Sequence, residues 1–338
     1  MIIERDIKLN FDDVLIKPKR SNLVSRSEVD LHKTYKMKHS KKEMIGIPIV
    51  ASNMDTTGTF EMAKELSKHH LYTMIHKFYT TDEWIEFMFE NPECREYTFI
   101  SSGISESDLE KVDEVIQSTG IELVCLDVAN GYSERFVRVV SDFRKKYPHI
   151  TLIAGDVCTA EMTEELLLAG ADIIKCGIGP GRACLTRMKT GVGYPQLSCI
   201  IECSDAAHGL DGHIMSDGGC KLPADIAKAF GGGADFVILG GMFAAHDESG
   251  GDLIVVDGVK YKEFYGMSSD KAMKKHYGGA ASYRASEGDE LKIKHRGPVT
   301  NTLKEILGGL RSTCTYVGAR KLKELYKRCT FVRTNKIH

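Results

Sequence analysis

Short apolar runs recur along this chain, and each is followed by a stretch whose apolar residues return at helical spacing. Residues 48–53, 71–76, 97–101, 121–127, 150–156, 172–177, 213–216 and 235–239 read as strands. Their apolar runs are nearly continuous rather than alternating, as expected of strands covered by helices. Between them, Phe136, Val139, Val140 and Phe143 fall on one helical face at i, i+3, i+4 and i+7. Thr159 suits the N-cap, and Gly170 the stop, of a helix carrying Met162, Leu166 and Ala169. Pro223 suits the first turn of the next-to-last helix. The last helical pattern spans residues 301–310.

Eight strands, each followed by a helix, is the number that closes a parallel (β/α)8 barrel, the TIM barrel. An open doubly wound sheet shows the same alternation. The number eight, and the lack of a GxGxxG turn after the first strand, favour the barrel. Successive strand starts differ by 23, 26, 24, 29 and 22 residues, then by 41, then by 22. The 41-residue interval contains Gly179-Pro180-Gly181-Arg182-Ala183-Cys184, and a second long segment, residues 242–299, follows strand eight. Connections of that length are uncommon in compact domains and usually functional. In a barrel both lie at the carboxyl ends of strands, the face that carries active sites. No linker divides the chain. The expectation is one α/β barrel domain over residues 1–338, with an N-terminal arm (1–40) and a flap (242–299).

Composition narrows the function. Forty-five Lys plus Arg against 47 Asp plus Glu give a net charge of −2 over 338 residues, which argues against a bulk nucleic-acid binder. No segment approaches the ~18 uninterrupted apolar residues of a membrane span. The start, MIIERDIKLNFDD, has no signal-peptide core, so a cytoplasmic protein is expected. Of ten cysteines, Cys125, Cys158, Cys176 and Cys199 sit in apolar runs, where a thiol acts as a small hydrophobe. No CxxC pair exists, and Cys199 to Cys203 is the closest spacing, so nothing in the spacing points to zinc.

Three glycine clusters end strands six, seven and eight: Gly177/Gly179/Gly181, Gly218/Gly219 beside Asp217, and Gly240/Gly241. Bare amides presented this way bind phosphate, which barrels often hold after strands seven and eight. Single clusters read as tight turns; three on consecutive strands read as a nucleotide cradle. Asp217 is the natural acceptor for ribose hydroxyls, or else an Asx turn residue. Cys184 lies in the strand-six loop among Arg182, Arg187 and Lys189, a setting that favours thiolate and hence a covalent nucleophile. Thr186 is placed to relay a proton, and Glu287 is a candidate acid behind it.

Nine short motifs in order carry a resemblance. They are Phe11-Asp-Asp-Val-Leu15, Asn53-Met-Asp-Thr56, Ile75-His-Lys77, Asp127-Val-Ala-Asn-Gly-Tyr132, Cys184-Leu-Thr-Arg187, Ser216-Asp-Gly-Gly219, Phe264-Tyr-Gly-Met-Ser-Ser269, Arg284-Ala-Ser-Glu-Gly288 and the run from Gly308 to Gly318. On these the chain resembles the IMP dehydrogenase/GMP reductase family, and within it the GMP reductases. The resemblance implies NADPH-dependent reductive deamination of GMP to IMP and ammonia through a cysteine thioimidate, in a homotetramer. It implies Cys184 as nucleophile, with Thr186 and Glu287 as the proton relay. It places substrate at Asp217, Gly218, Gly219, Gly240, Gly241, Gly266, Met267, Ser268, Arg284, Ala285, Ser286 and Gly288. Cofactor would meet Lys77, Asp127, Val128, Ala129, Gly179, Tyr283 and Arg284. Its adenosine end would meet Ser312, Thr313, Cys314 and Thr315, with Ser25 and Arg26 from a neighbouring subunit. A potassium ion in related proteins sits among carbonyls equivalent to Gly179 and Gly181.

One departure stands out: the family pattern has serine, a phosphate contact, where this chain has Arg182. An IMP dehydrogenase-like oxidation is the neighbouring alternative. That enzyme usually carries a large regulatory insert after the second strand and an Arg-Tyr pair on its flap. Here no insert fits between His76 and Tyr97, and the pair is reversed as Tyr283-Arg284. A non-catalytic purine-nucleotide sensor would not need Cys184, Thr186 and Glu287 together. A flavin-dependent barrel would leave Cys184 idle.

Overall fold

The computed structural model describes residues 2–279 and 285–334. Its centre is a closed barrel of parallel strands: β1 (Ile49–Ala51), β2 (Tyr72–Ile75), β3 (Thr98–Ser102), β4 (Leu123–Asp127), β5 (Thr151–Val157), β6 (Ile173–Cys176), β7 (His213–Asp217) and β8 (Phe236–Leu239). Closure is direct, because β8 pairs with β1 through Val237↔Ile49, Ile238↔Val50 and Leu239↔Ala51. The doubly wound alternative is thereby excluded. All eight expected strands form, each within two residues of its expected bounds, since each apolar run is buried between the barrel interior and the surrounding helices.

The helices are α1 (Phe60–Ser67), α2 (Thr81–Glu90), α3 (Glu106–Thr119), α4 (Glu134–Lys146), α5 (Ala160–Ala169), α6 (Thr186–Thr190), α7 (Gln196–Gly209), α8 (Pro223–Gly231), α9 (Asp270–Tyr277), α10 (Val299–Val317) and α11 (Leu325–Arg328). In α4 the expected stripe is the buried one, with Phe136, Val140 and Phe143 in the core and Val139 packed against it. Arg144, Lys145 and Lys146 close that helix, where cations complement the helix dipole. Thr159 and Gly170 do bound α5, but the Thr159 side chain makes no cap; its hydroxyl accepts from Tyr132 Oη instead (3.2 Å). Pro223 opens α8 as expected, although α9, α10 and α11 all follow it.

Helix α10 is longer than the 301–310 pattern. The apolar stripe continues through Leu310, Cys314 and Val317, and this burial outweighs the low helix propensity of Gly308 and Gly309. Gly309 has a packing reason: a Cβ there would lie 2.9 Å from Pro223 Cβ, so the glycine lets α10 pack closely on α8.

The amino ends of the strands are closed by a hairpin of Lys33–Lys36 and Glu43–Gly46. Tyr35 stacks on Phe236 at 4.4 Å between ring centroids, and its hydroxyl donates to the Asp235 carbonyl. Near the chain ends, Val14–Ile16 pairs antiparallel with Phe331–Arg333. At the carboxyl ends, the segment after β8 builds its own antiparallel sheet, Leu253–Val256, Val259–Tyr265 and Glu290–Lys294, with α9 between the last two strands. Asp55, in the loop after β1, anchors that segment. It accepts from Tyr265 Oη (2.7 Å), His276 Nε2 (2.7 Å) and Lys275 Nζ (3.0 Å). Burial pushes the Asp55 carboxyl up, but these three donors outweigh it and hold it below the ordinary value.

Candidate active site

A cavity of about 240 Å³ opens at the carboxyl ends of the strands, and every strand-end glycine cluster reaches it. Gly218 and Gly219 adopt positive φ (81° and 84°), which turns the chain sharply after β7. The N–H groups of Gly218, Gly219 and Gly241 are not taken by any acceptor among the described residues. They are donors left over for a bound anion.

Cys184 is half-buried at the cavity wall, in the loop between β6 and α7. Its position is set by main-chain pairing with the segment after β8. Leu185 N donates to Glu287 O (2.7 Å) and Asp289 N to Ala183 O (2.9 Å), so Cys184 faces Gly288 across an antiparallel bridge. Glycine is required on that partner segment: a Cβ on Gly288 would come within 2.5 Å of Ser269 N, and one on Gly266 within 2.6 Å of Ala183 O. The pairing brings the expected relay together. Cys184 Sγ lies 3.3 Å from Thr186 Oγ1, which donates to Glu287 Oε2 at 2.7 Å. A sulfur, a hydroxyl and a carboxylate in line can carry a proton to or from a group seated on the sulfur.

On the barrel axis lies a group that the sequence reading did not single out. Lys175 of β6 is 3% exposed, and its Nζ reaches Asp127 Oδ1 (3.0 Å), Asp156 Oδ2 (3.0 Å) and Asp217 Oδ2 (2.6 Å). Asn53 Nδ2 donates to the other oxygen of Asp127 (2.5 Å). Burial would lower the Lys175 ammonium, but the three carboxylates hold it well above its ordinary value. Three carboxylates share one cation, and Asp156 Oδ1 is buried without a partner. Burial, then the charges of Asp217 and Asp127, push the Asp156 carboxyl well up against the pull of Lys175. Lysine is almost never fully buried unless paired. A lone Lys inside the run Asp172-Ile-Ile-Lys175-Cys176 was therefore the available signal. Gln196, at the start of α7, also went unnoticed; its Nε2 ties Cys176 O (3.0 Å), Ser216 Oγ (3.2 Å) and Asp217 O (3.1 Å).

The structure brings most expected residues to one cavity. Cys184, Thr186, Glu287, Asp217, Gly218, Gly219, Gly240, Gly241, Gly266, Met267, Ser268, Gly288, Asp127, Ala129, Gly179 and Gly181 all line it. Others lie outside its lining. Ser286 Oγ donates to Gly288 O (3.2 Å), Ala285 lies two residues before the lining residue Glu287, and Val128 lies between the lining residues Asp127 and Ala129. Lys77 is turned to Asp108 (3.1 Å). Ser25 caps the turn Arg26–Glu28, which packs on α10, the helix that carries Ser312, Thr313 and Thr315. Cys314 faces the core, where burial pushes its thiol up to about 12. Tyr283 and Arg284 fall outside the described residues.

Comparison with known proteins agrees with this geometry. A family model described as the IMP dehydrogenase / GMP reductase domain matches residues 8–337. The chain is 60% identical over 332 residues to GMP reductase 2 of Homo sapiens, covering 98% of this chain and 95% of that protein. It is 58% identical over 337 residues to GMP reductase 1 of Mus musculus (99% and 98%). GMP reductase of Klebsiella pneumoniae is 57% identical over 335 residues (98% and 96%). With the barrel, the cysteine loop and the glycine cradle in place, the chain belongs to the IMP dehydrogenase/GMP reductase family of oxidoreductases.

Proposed function

We propose that this chain is a GMP reductase, converting GMP, NADPH and a proton to IMP, ammonia and NADP+, with Cys184 as covalent nucleophile. The observation that carries the reading is the Cys184–Thr186–Glu287 relay opening onto a cavity floored by unused amides. Gly218, Gly219, Gly240 and Gly241 receive the 5′-phosphate, and Asp217 the ribose hydroxyls. Gly266, Met267, Ser268, Ala285, Ser286 and Gly288 enclose the base, and the resemblance assigns Arg284, outside the described residues, to the same ligand.

Thiolate of Cys184 adds to C2 of the purine. The Sγ–C2 bond forms as the C2–N2 bond breaks, and the departing amine takes its proton from Glu287 through Thr186 Oγ1. Acid assistance of this kind contributes ~10²–10⁴ in rate. NADPH supplies a hydride to C2 when bound. The C2–S bond then breaks and returns its electron pair to Cys184, leaving IMP. Splitting one displacement into two steps is the purpose of the covalent bond.

The cavity runs from Cys184 past Gly179 to Asp127 and Ala129, a continuous wall that fits a nicotinamide beside the purine. Lys77 and Val128 are assigned to that side, and the resemblance adds Tyr283 and Arg284, which lie outside the described residues. Ser312, Thr313 and Thr315, with Ser25 and Arg26 of a neighbouring subunit in a homotetramer, hold the adenosine end, whereas Cys314, expected with them, is buried in the core and takes no part. Of the two carbonyls assigned to potassium, Gly181 O accepts from Cys184 N (3.1 Å), and Arg187 donates to the neighbouring Ile178 O (3.3 Å) and to Tyr194 O. No step is routed through that ion. Residues 1–40 act as an arm and 242–299 as a flap over one barrel domain. Among the described residues no helix is long and apolar enough to cross a membrane, and we place the enzyme in the cytoplasm.

The test is to mix enzyme, GMP and NADPH, following the reduced-nicotinamide absorbance together with ammonia release. Equimolar loss and release are expected, and Cys184→Ala abolishes both. Turnover persisting in that variant overturns the mechanism.

A further inference from the structure

A second cavity of about 560 Å³ adjoins the first on its outer side, and Arg182, Cys220 and Gly241 line both. Its walls carry three cations, Arg182, Lys221 and Arg296, against one carboxylate, Glu305. Arg182 lies over the glycine that ends β8: a Cβ on Gly241 would come within 3.2 Å of Arg182 Cδ. Arg296 donates to Gly241 O (3.1 Å) and Met242 O (2.9 Å), which fixes its guanidinium at the same edge. Neither arginine meets a carboxylate within 4.0 Å among the described residues, whereas Lys221 touches Asp12 only at 3.9 Å. Burial and the charge of Arg182 both pull Arg296 down, as between like charges with nothing to neutralise them.

Two guanidiniums lining one cavity, with no carboxylate within 4.0 Å of either among the described residues, make a site for an anion with several oxygens. The cavity continues outward from the amide cradle, so the anion it suits is one attached to the phosphate end of the nucleotide. We propose that Arg182 and Arg296, with Lys221, form a β-phosphate subsite, so that this chain binds guanosine 5′-diphosphate as a ligand competing with GMP. The inference rests on the reading that the 5′-phosphate sits on Gly218, Gly219 and Gly241. Arg182, at the edge shared by the two cavities, turns the rim of a monophosphate site into a trough for a second phosphate.

Binding of GMP and of GDP to the full-length enzyme, measured by titration calorimetry, tests the proposal. GDP binds at least as tightly as GMP and displaces it. Arg296→Gln weakens GDP by about tenfold or more, the worth of one charge-assisted hydrogen bond, and changes GMP by less than about threefold, while Arg182→Ser lowers the ratio of GDP to GMP affinity by a similar factor. Two outcomes overturn the subsite: GDP binding at least tenfold weaker than GMP, or variants that weaken both nucleotides equally. If GMP itself fails to bind the unmodified enzyme, the nucleotide assignment falls, and the subsite with it. Both arginines are exposed, and the melting temperature of each variant separates a binding defect from a folding one.

Discussion

The two ends of the barrel use buried carboxylates in opposite ways. At the amino end, Asp172 is saturated: Oδ1 accepts from His39 N (2.7 Å) and Ser40 N (3.2 Å), and Oδ2 from Arg144 Nη2 (2.8 Å) and Leu152 N (3.0 Å). Asp235 accepts from His208 Nε2 (2.8 Å) and Ile214 N (3.1 Å), with Lys33 Nζ at 3.6 Å. At the carboxyl end, Asp127, Asp156 and Asp217 share Lys175, and one Asp156 oxygen has no partner. The lower end spends its polar capacity on closing the fold. The upper end keeps capacity unspent, and a ligand is what uses it. Conservative changes should therefore cost stability below and chemistry above.

The largest effect expected is at the upper end. Glu287→Gln lowers kcat by ~10²–10⁴, the range of general acid catalysis, while the melting temperature stays within a few degrees; steady-state kinetics beside a thermal melt checks this. Next, Asp172→Ala removes the partner of Arg144 and leaves a buried charge, costing about 3–5 kcal/mol in urea unfolding, with kcat of the folded fraction unchanged. A large fall in kcat with little loss of stability would reverse the roles of the two ends. Third, Lys175→Met leaves three carboxylates without their cation. Asp217 then loses its fixed partner, and steady-state kinetics should show KM for GMP raised about tenfold, the loss of one charged contact.

The smallest effect is a pH dependence at the lower end. Burial raises the Asp235 carboxyl, but hydrogen bonding from His208 and the charges of His213 and Lys33 hold it far below its ordinary 3.8. Burial lowers His213, and Asp235 overcomes this to raise it above 6.5. A depressed carboxyl stabilises above its unfolded value and loses that contribution as pH falls through the folded one. A raised histidine stabilises below its unfolded value and loses its share as pH rises through the folded one. Together they favour the fold most between about pH 4 and 6.5, from the reference values of the two groups. Urea unfolding across pH 3–8 should show that maximum flattened in Asp235→Asn, and an unchanged curve would remove Asp235 from the account.

How much of this was legible in the chain follows from the same division. The strands were, because a barrel buries them on both faces and their sequences say so directly. Cys184 was, because its neighbours are glycines and cations, whereas Cys125, Cys158, Cys176 and Cys199 sit in apolar runs and are buried. The length of α10 was not, since two glycines mask a stripe that only packing against α8 completes. Nor was the meeting of Lys175 with Asp156, which belong to different strands and come together only when the barrel closes; the lone Lys in an apolar run marked a buried cation but not its partners. Spacing along the chain carries no trace of such an encounter. The strands of the segment after β8 were missed for the opposite reason: they are largely exposed, so their sequence lacks a buried run.

The bridge between Cys184 and Gly288 has one more implication. Side chains on paired strands alternate between faces, so a slip of a single residue would turn Glu287 away from Thr186 and present a neighbour instead. In the mechanism proposed above, delivery of the proton is thus guarded by alignment of two backbones, and an insertion or deletion near residue 287 is expected to silence the enzyme while every reactive group stays in the chain.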